Sequence, residues 1–239
     1  MYKRQNKNNV TNNFYLDNST EAVKDDSHFY RTQYEAPYTL HQFEPDDITA
    51  PCLKNCYIEE DCYYFQYDLR NQNIPNHIED ISEQGSLLLH FKNFLLRSTK
   101  SKLLLILGHG GTGKTSFVSY VMCNQEKICT NRKMYVIRLR EYVKESPNSL
   151  CDKIQKNIRY PEKIENNAVI IFDGLDELCM MKKWENQSVS TEIIRNLYEI
   201  FGSGTERKII ITSRNAYVST DNVYKTICLL YTSDAADEL

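Results

Sequence analysis

A glycine-rich segment that follows a short apolar run constrains this chain more than any other feature. The run Leu103–Leu107 has the length and composition of a buried strand. The segment after it fits the spacing GxxxxGK[ST] and reads Gly108-His109-Gly110-Gly111-Thr112-Gly113-Lys114-Thr115, followed by Ser116. Apolar residues at helical spacing begin at Phe117. The pattern therefore predicts a strand, a tight loop and a helix in direct succession.

This succession is typical of a loop that binds the phosphates of a nucleotide. Glycines let successive backbone N–H groups turn toward phosphate oxygens, and the N-terminus of the next helix favours an anion. We expect Lys114 to contact the β- and γ-phosphates and Thr115 to offer its hydroxyl to Mg²⁺. Residues 108–116 are thus predicted to bind ATP or GTP together with Mg²⁺.

A second apolar run, residues 168–172, ends in acidic side chains. Asp173 follows the run directly, and Asp176 and Glu177 come shortly after it. Ligands of parallel α/β sheets bind at the carboxyl ends of the strands, so these side chains are expected near the phosphates. Asp173 is predicted to hold Mg²⁺. Asp176 or Glu177 is predicted to orient or deprotonate the attacking water.

A third apolar run, residues 208–212, is followed by Ser213 and Arg214. An arginine at the end of a neighbouring strand can reach a γ-phosphate through charge-assisted hydrogen bonds. Arg214 is therefore predicted to sense whether the γ-phosphate is present.

Together these motifs resemble the NACHT domain of the signal-transduction ATPases with numerous domains. The resemblance covers about residues 86–214 and also includes the pair Leu139-Arg140 at the end of a strand predicted over residues 134–140. Gly174, directly after Asp173, supports it because most motor ATPases have a glutamate at this position. The features that carry it are the phosphate-binding loop, the run Asp173-Gly174-Leu175-Asp176-Glu177-Leu178 and the strand ending Thr212-Ser213-Arg214, and the motif from Asp173 to Glu177 is specific.

The resemblance implies an α/β fold, a three-layer α/β/α sandwich around a parallel sheet of strand order 5-1-4-3-2. It also implies a slow ATP-hydrolysing switch that is closed and monomeric with the diphosphate and, in the full-length protein, open and homo-oligomeric with the triphosphate. Such proteins respond to a trigger ligand and act in signal transduction, innate immunity or defence against phage. Two alternatives stay open: a motor-type ATPase that acts on nucleic acid, and a scaffold that binds nucleotide without hydrolysing it.

Composition shifts divide the chain into four segments. Residues 1–28 are polar and are expected to form a disordered tail, whereas residues 29–79 are rich in aromatic side chains and have no assigned role. Residues 80–227 form the predicted domain, which begins with a helix capped by Ser86. Residues 228–239 resemble a translated sequencing adapter, so the domain is predicted to be truncated.

The predicted truncation removes the fifth strand of the sheet. Residues 223–227 have strand composition, and we expect them to pair in parallel beside Leu103–Leu107 in its place. The tail from residue 232 onward is expected to be unstructured.

Charge and hydropathy exclude some partners. The formal net charge is -3, so no overall positive field indicates nucleic acid or an anionic membrane surface. No apolar run has transmembrane length, and the first residues lack the apolar core of a signal peptide. The sequence thus predicts a cytoplasmic protein whose cysteines are reduced.

Overall fold

A pair of short antiparallel strands and a helix precede the main sheet. The computed structural model describes residues 57–59, 61–64, 83–96, 101–129, 131–157, 164–184, 186–219 and 222–223. Strand β1 (Asp61–Tyr64) pairs with β2 (Glu83–Ser86), and helix α1 (Leu87–Leu95) follows at once. The Ser86 side chain caps α1 by accepting a hydrogen bond from Leu89 N–H at 3.1 Å. The predicted cap is therefore confirmed.

The main sheet has four parallel strands in the described part of the chain. These are β3 (Leu103–Leu107), β4 (Met134–Arg138), β5 (Val169–Asp173) and β6 (Lys208–Ser213). Their spatial order is β3-β6-β5-β4. Counted as the first to fourth strands of the domain, they follow the order 1-4-3-2, so this part of the predicted topology is confirmed. All four carboxyl ends lie at one edge of the sheet, which we call the carboxyl edge.

Helices cover both faces of the sheet and give the predicted three layers. They are α2 (Lys114–Cys123), α3 (Gln125–Ile128), α4 (Pro147–Asn157), α5 (Leu175–Lys182) and α6 (Gln187–Phe201), with short 3-10 helices at Leu139–Tyr142 and Asn215–Tyr217. Along β5, Val169 and Ile171 pack in the core that contains α1 and α2, whereas Ile170 and Phe172 pack with α4, α5 and α6. This alternation follows from the two-residue period of a strand.

The N-terminal aromatic segment contacts the helix that follows the phosphate-binding loop. The rings of Tyr57 and Tyr120 are stacked with centroids 4.3 Å apart. Phe91 of α1 meets Phe117 of α2 edge to face at 5.4 Å. These contacts link Tyr57 and α1 to α2.

Two predictions about strand ends differ from the structure. Strand β4 ends at Arg138, and Leu139 and Arg140 belong to a 3-10 helix rather than to the strand. Val223, the first residue of the predicted fifth strand, is helical, and its N–H donates to Ser219 O at 3.0 Å. Residues 224–227 lie outside the described residues, as do residues 1–56 and the adapter-like segment, so the pairing beside β3 stays a prediction.

Buried cations hold the opposite, amino edge of the sheet. Arg132 donates from Nη1 to Asn167 O at 2.7 Å and to Glu206 O at 2.9 Å. Lys208, at the start of β6, is 3% exposed and donates from Nζ to Ser101 O at 2.5 Å. Burial, together with the positive charges of Arg132 and Lys102, lowers the pKa of Lys208 to about 8.

We expect Lys208 to make the stability of the fold rise with pH between about 8 and 10.5. In this window the unfolded chain, with the ordinary lysine pKa, binds more protons than the folded chain, so alkali favours folding by up to about 1.4 kcal/mol per pH unit. The measurement is urea unfolding of the wild type and of Lys208→Met across this range. The exposed Lys92 supplies the control Lys92→Met. A difference between wild type and Lys208→Met that does not change with pH would contradict the prediction.

Candidate active site

The glycine-rich loop connects β3 directly to the N-terminus of α2. Gly111 and Gly113 have left-handed backbone, with φ of 83° and 82°, a conformation that glycine adopts readily. Gly113 is the N-cap of α2, and its carbonyl accepts a hydrogen bond from Phe117 N–H at 2.8 Å. The loop therefore ends at the first turn of a helix, where free N–H groups and the helix dipole favour an anion.

The side chain of Lys114 extends back to the first residues of this loop. Its Nζ donates to Gly108 O at 2.8 Å and to His109 O at 2.9 Å, and Thr112 Oγ1 also donates to His109 O at 3.0 Å. A Cβ on Gly108 would come within 2.7 Å of Thr112 Oγ1, so a larger residue here would displace the Thr112 side chain. An ammonium group has three N–H donors. The two bonds thus hold the charge at the loop and leave donor capacity for a phosphate oxygen.

Thr115 and Asp173 meet at the predicted metal position. Thr115 Oγ1 donates to Asp173 Oδ2 at 3.2 Å, across the gap between α2 and the end of β5. Asp173 is 7% exposed. A hydroxyl and a carboxylate are the hard oxygen ligands that Mg²⁺ takes, and Mg²⁺ usually binds through few protein groups together with substrate phosphates. The two residues fit this ion.

A third side chain, Thr212 of β6, holds Asp173 from the other side. Thr212 Oγ1 donates to Asp173 Oδ1 at 2.7 Å and accepts a hydrogen bond from Gly174 N–H at 2.9 Å. Thr212 is 1% exposed. Sequence reasoning assigned it no role, although a hydroxyl within the apolar run of β6 is a signal that points to a buried partner.

The acidic turn is flanked by two arginines from neighbouring strands. Gly174 has φ of 82° and starts α5, so Asp176 and Glu177 lie in the first turn of that helix. Arg214 Nε lies 2.8 Å from Asp176 Oδ2, and Asp176 has only 6% of its side chain exposed. Arg140 Nη1, beyond the end of β4, lies 3.8 Å from Glu177 Oε2, and both of these side chains are about half exposed. Each acid therefore faces a cation.

Arg214 also lies against the phosphate-binding loop. A Cβ on Gly110 would come within 3.1 Å of Arg214 Cζ, so the guanidinium group packs on this glycine. Ser213, which precedes Arg214, also links β6 to the loop, because Gly108 N–H donates to Ser213 O at 3.2 Å. The end of β6 thus lies between the loop and the acidic turn.

Cys179 lies one helical turn after Asp176 in α5. It is 1% exposed. Burial and the negative charge of Asp176 raise the pKa of Cys179 to about 11. Its thiol is therefore neutral near pH 7 and is a core side chain rather than a nucleophile.

The structure brings all the site residues predicted from the sequence to the carboxyl edge of the sheet. Ser116 lies in the first turn of α2, and His109 is exposed at the tip of the loop. The roles assigned to all of these residues stay predictions, which the geometry makes testable. Two contacts were not foreseen: the bonds of Thr212 and the approach of Arg140 to Glu177.

Comparison with known proteins identifies one family. The model of the ATPase family associated with various cellular activities (AAA) matches residues 104–228, which is more than half of the chain. The match begins within β3 and includes every predicted site residue. The search of curated proteins finds no match. In the ranges that the structure describes, no helix is both long and apolar enough to span a membrane.

Proposed function

Because the chain belongs to the ATPase family associated with various cellular activities (AAA), we propose that it is an ATP-driven switch of the NACHT type. Family membership supports nucleotide binding and hydrolysis in general. The proposal adds that hydrolysis is slow and that the triphosphate and diphosphate favour different conformations. It also assigns the protein to signal transduction or defence, where a trigger ligand shifts it toward a homo-oligomeric triphosphate state.

The observation that carries the proposal is the position of Arg214. Its guanidinium packs on Gly110 of the phosphate-binding loop and lies 2.8 Å from Asp176 of the acidic turn. A cation in this position can exchange part of its contact with the carboxylate for contact with a γ-phosphate. A ligand shifts a conformational equilibrium only through contacts that differ between the two states. Arg214 supplies such a difference between triphosphate and diphosphate.

Each of the other residues has a role in the proposed reaction. The N–H groups of the loop and Lys114 bind the β- and γ-phosphates, and Thr115 and Asp173 would hold Mg²⁺. When bound, the ion neutralises charge on the phosphate oxygens. Asp176 or Glu177 orients the attacking water and accepts its proton. Arg214 stabilises negative charge that develops at the γ-phosphate.

Gly174 supports the NACHT type over a motor-type ATPase. Its φ of 82° would be strained in a residue that has a side chain, at a cost of about 1–2 kcal/mol. The acidic turn is therefore built around glycine at the position where most motor ATPases have glutamate.

Turnover and particle size test the proposal together. We expect the purified chain to hydrolyse ATP at about 10⁻⁴–10⁻² s⁻¹, the range of switch NTPases without an activating partner. Light scattering is expected to show larger particles with Mg²⁺ and a non-hydrolysable ATP analogue than with Mg²⁺ and ADP. Equal particle sizes in both nucleotides would contradict the switch.

The same assays separate the two alternatives. Turnover stimulated by single-stranded DNA or RNA, with binding that weakens as salt rises, would favour a motor that acts on nucleic acid. Tight nucleotide binding without any turnover would favour a scaffold. GTP is measured beside ATP, because the loop contacts phosphates that both nucleotides share.

A further inference from the structure

Thr212 is a buried polar side chain that directly follows three apolar residues of β6. It lies one residue before the end of β6, and its neighbours Ile209, Ile210 and Ile211 are completely or almost completely buried. A buried hydroxyl without a partner destabilises a fold by about 1–3 kcal/mol, so a threonine here needs specific hydrogen bonds. The structure shows what those bonds are.

The hydroxyl of Thr212 makes one bond as a donor and one as an acceptor. Gly174 N–H donates to it at 2.9 Å, so the single hydroxyl proton is directed toward Asp173 Oδ1 at 2.7 Å. A hydroxyl has only one proton to donate. The bond from Gly174 therefore fixes the direction in which Thr212 donates.

As a result, the two oxygens of Asp173 have different partners. Oδ1 is occupied by Thr212, and Oδ2 is the oxygen that faces Thr115 Oγ1 at 3.2 Å. With one oxygen held, the carboxylate cannot rotate without breaking a short buried hydrogen bond. Thr212 thus determines that Oδ2 is the oxygen of Asp173 that faces Thr115.

We propose that Thr212 is a positioning residue that orients Asp173 toward Mg²⁺ and so sets the Mg²⁺ dependence of nucleotide binding. This rests on the proposed function, because it concerns the same site. Groups that orient metal ligands by hydrogen bonds commonly contribute about 10–100-fold to metal affinity. Thr212 itself touches neither nucleotide nor ion, and its effect passes through Asp173.

The test compares nucleotide affinity with and without the ion. Thr212→Val keeps the shape of the side chain and removes the hydroxyl, whereas Thr212→Ser keeps the hydroxyl. Binding of a fluorescent non-hydrolysable ATP analogue is titrated in EDTA and in a series of Mg²⁺ concentrations. We expect Thr212→Val to raise the half-saturating Mg²⁺ concentration about tenfold. Its affinity in EDTA and all values for Thr212→Ser should stay within about twofold of the wild type.

A second buried threonine provides the matched control. Thr191 of α6 is 9% exposed and donates from Oγ1 to Gln187 O at 2.8 Å, within its own helix. Thr191→Val therefore removes a comparable hydroxyl that bonds none of the site residues, and its Mg²⁺ dependence should equal that of the wild type. If Thr212→Val fails to fold, Thr212→Cys is measured instead, because its thiol is a weaker donor of similar size. It should show a smaller rise in the Mg²⁺ requirement.

Two results would overturn the inference. One is a wild-type Mg²⁺ requirement in Thr212→Val, or in Thr212→Cys where that variant replaces it. The other is an equal loss of affinity in EDTA and in Mg²⁺, which would make Thr212 a structural residue only. Failure of the proposed function has a different signature, because the wild type would then bind no nucleotide in either condition.

Discussion

Lys114→Ala is expected to weaken binding of the Mg²⁺-nucleotide by about ten- to hundredfold. A charge-assisted contact to phosphate contributes about 1.5–3 kcal/mol, and each 1.4 kcal/mol is a factor of ten in affinity. The structure adds a reason for a large effect. Lys114 Nζ donates to Gly108 O and His109 O, so the variant loses the charge and also two bonds that fix the path of the loop.

The affinity is measured by titrating the folded chain with a fluorescent nucleotide analogue. Lys92→Ala is the control, because Lys92 is an exposed lysine of α1 and lies outside the site residues. Thermal unfolding of both variants shows whether the loop change has altered the whole fold. Wild-type affinity in a folded Lys114→Ala variant would mean that the assigned phosphate site is wrong.

Asp176→Asn is expected to lower the rate of hydrolysis by about a hundredfold or more while nucleotide affinity changes much less. A positioned acid or base contributes about 10²–10⁴-fold, and the water has to be oriented only for the reaction. The amide keeps the size of the side chain, of which only 6% is exposed. Single-turnover hydrolysis and equilibrium binding are measured on the same preparation.

Because Asp176 is paired with Arg214, the experiment also needs a variant of Arg214. Their 2.8 Å contact means that part of any loss could come through a misplaced Arg214. In a double-mutant cycle, Asp176→Asn and Arg214→Gln combine without further loss if the two residues act as one unit. Equal losses of binding and hydrolysis in Asp176→Asn would mean instead that Asp176 supports the metal or the fold.

Glu177→Gln separates the two candidate acids. Glu177 is about half exposed and only 3.8 Å from Arg140, so the substitution disturbs the fold less than a change at Asp176. If Asp176 orients the water, Glu177→Gln should retain most of the hydrolysis rate. A larger loss in Glu177→Gln than in Asp176→Asn would transfer the role to Glu177.

Features encoded in short stretches of sequence were predicted well. The strand, loop and helix from Leu103 to Cys123 follow from an apolar run, a glycine pattern and helical spacing, all of which are local. The position of β6 between β3 and β5 was expected from the resemblance rather than from local pattern. Residues at the carboxyl ends of parallel strands were expected to meet, and they do.

The features that were missed depend on backbone geometry or on distant partners. Arg138, Leu139 and Arg140 alternate as in a strand, so periodicity extended β4 through a segment that turns into a 3-10 helix. The partner of β1 is β2, whose residues Glu83–Ser86 have little strand propensity, so only the pairing itself identifies it. The role of Thr212 depends on Asp173 and Gly174, which lie on another strand end.

The pairing of β3 with β6 also determines when the nucleotide site can form during synthesis of the chain. Leu103 pairs with Ile209, so the phosphate-binding loop obtains its neighbouring strand only after another 106 residues have been synthesised. At a synthesis rate of about 5–20 residues per second, the strand that carries Ser213 and Arg214 follows the loop after roughly 5–20 s. A growing chain therefore acquires its complete nucleotide site late, as one of the last events in the folding of the sheet.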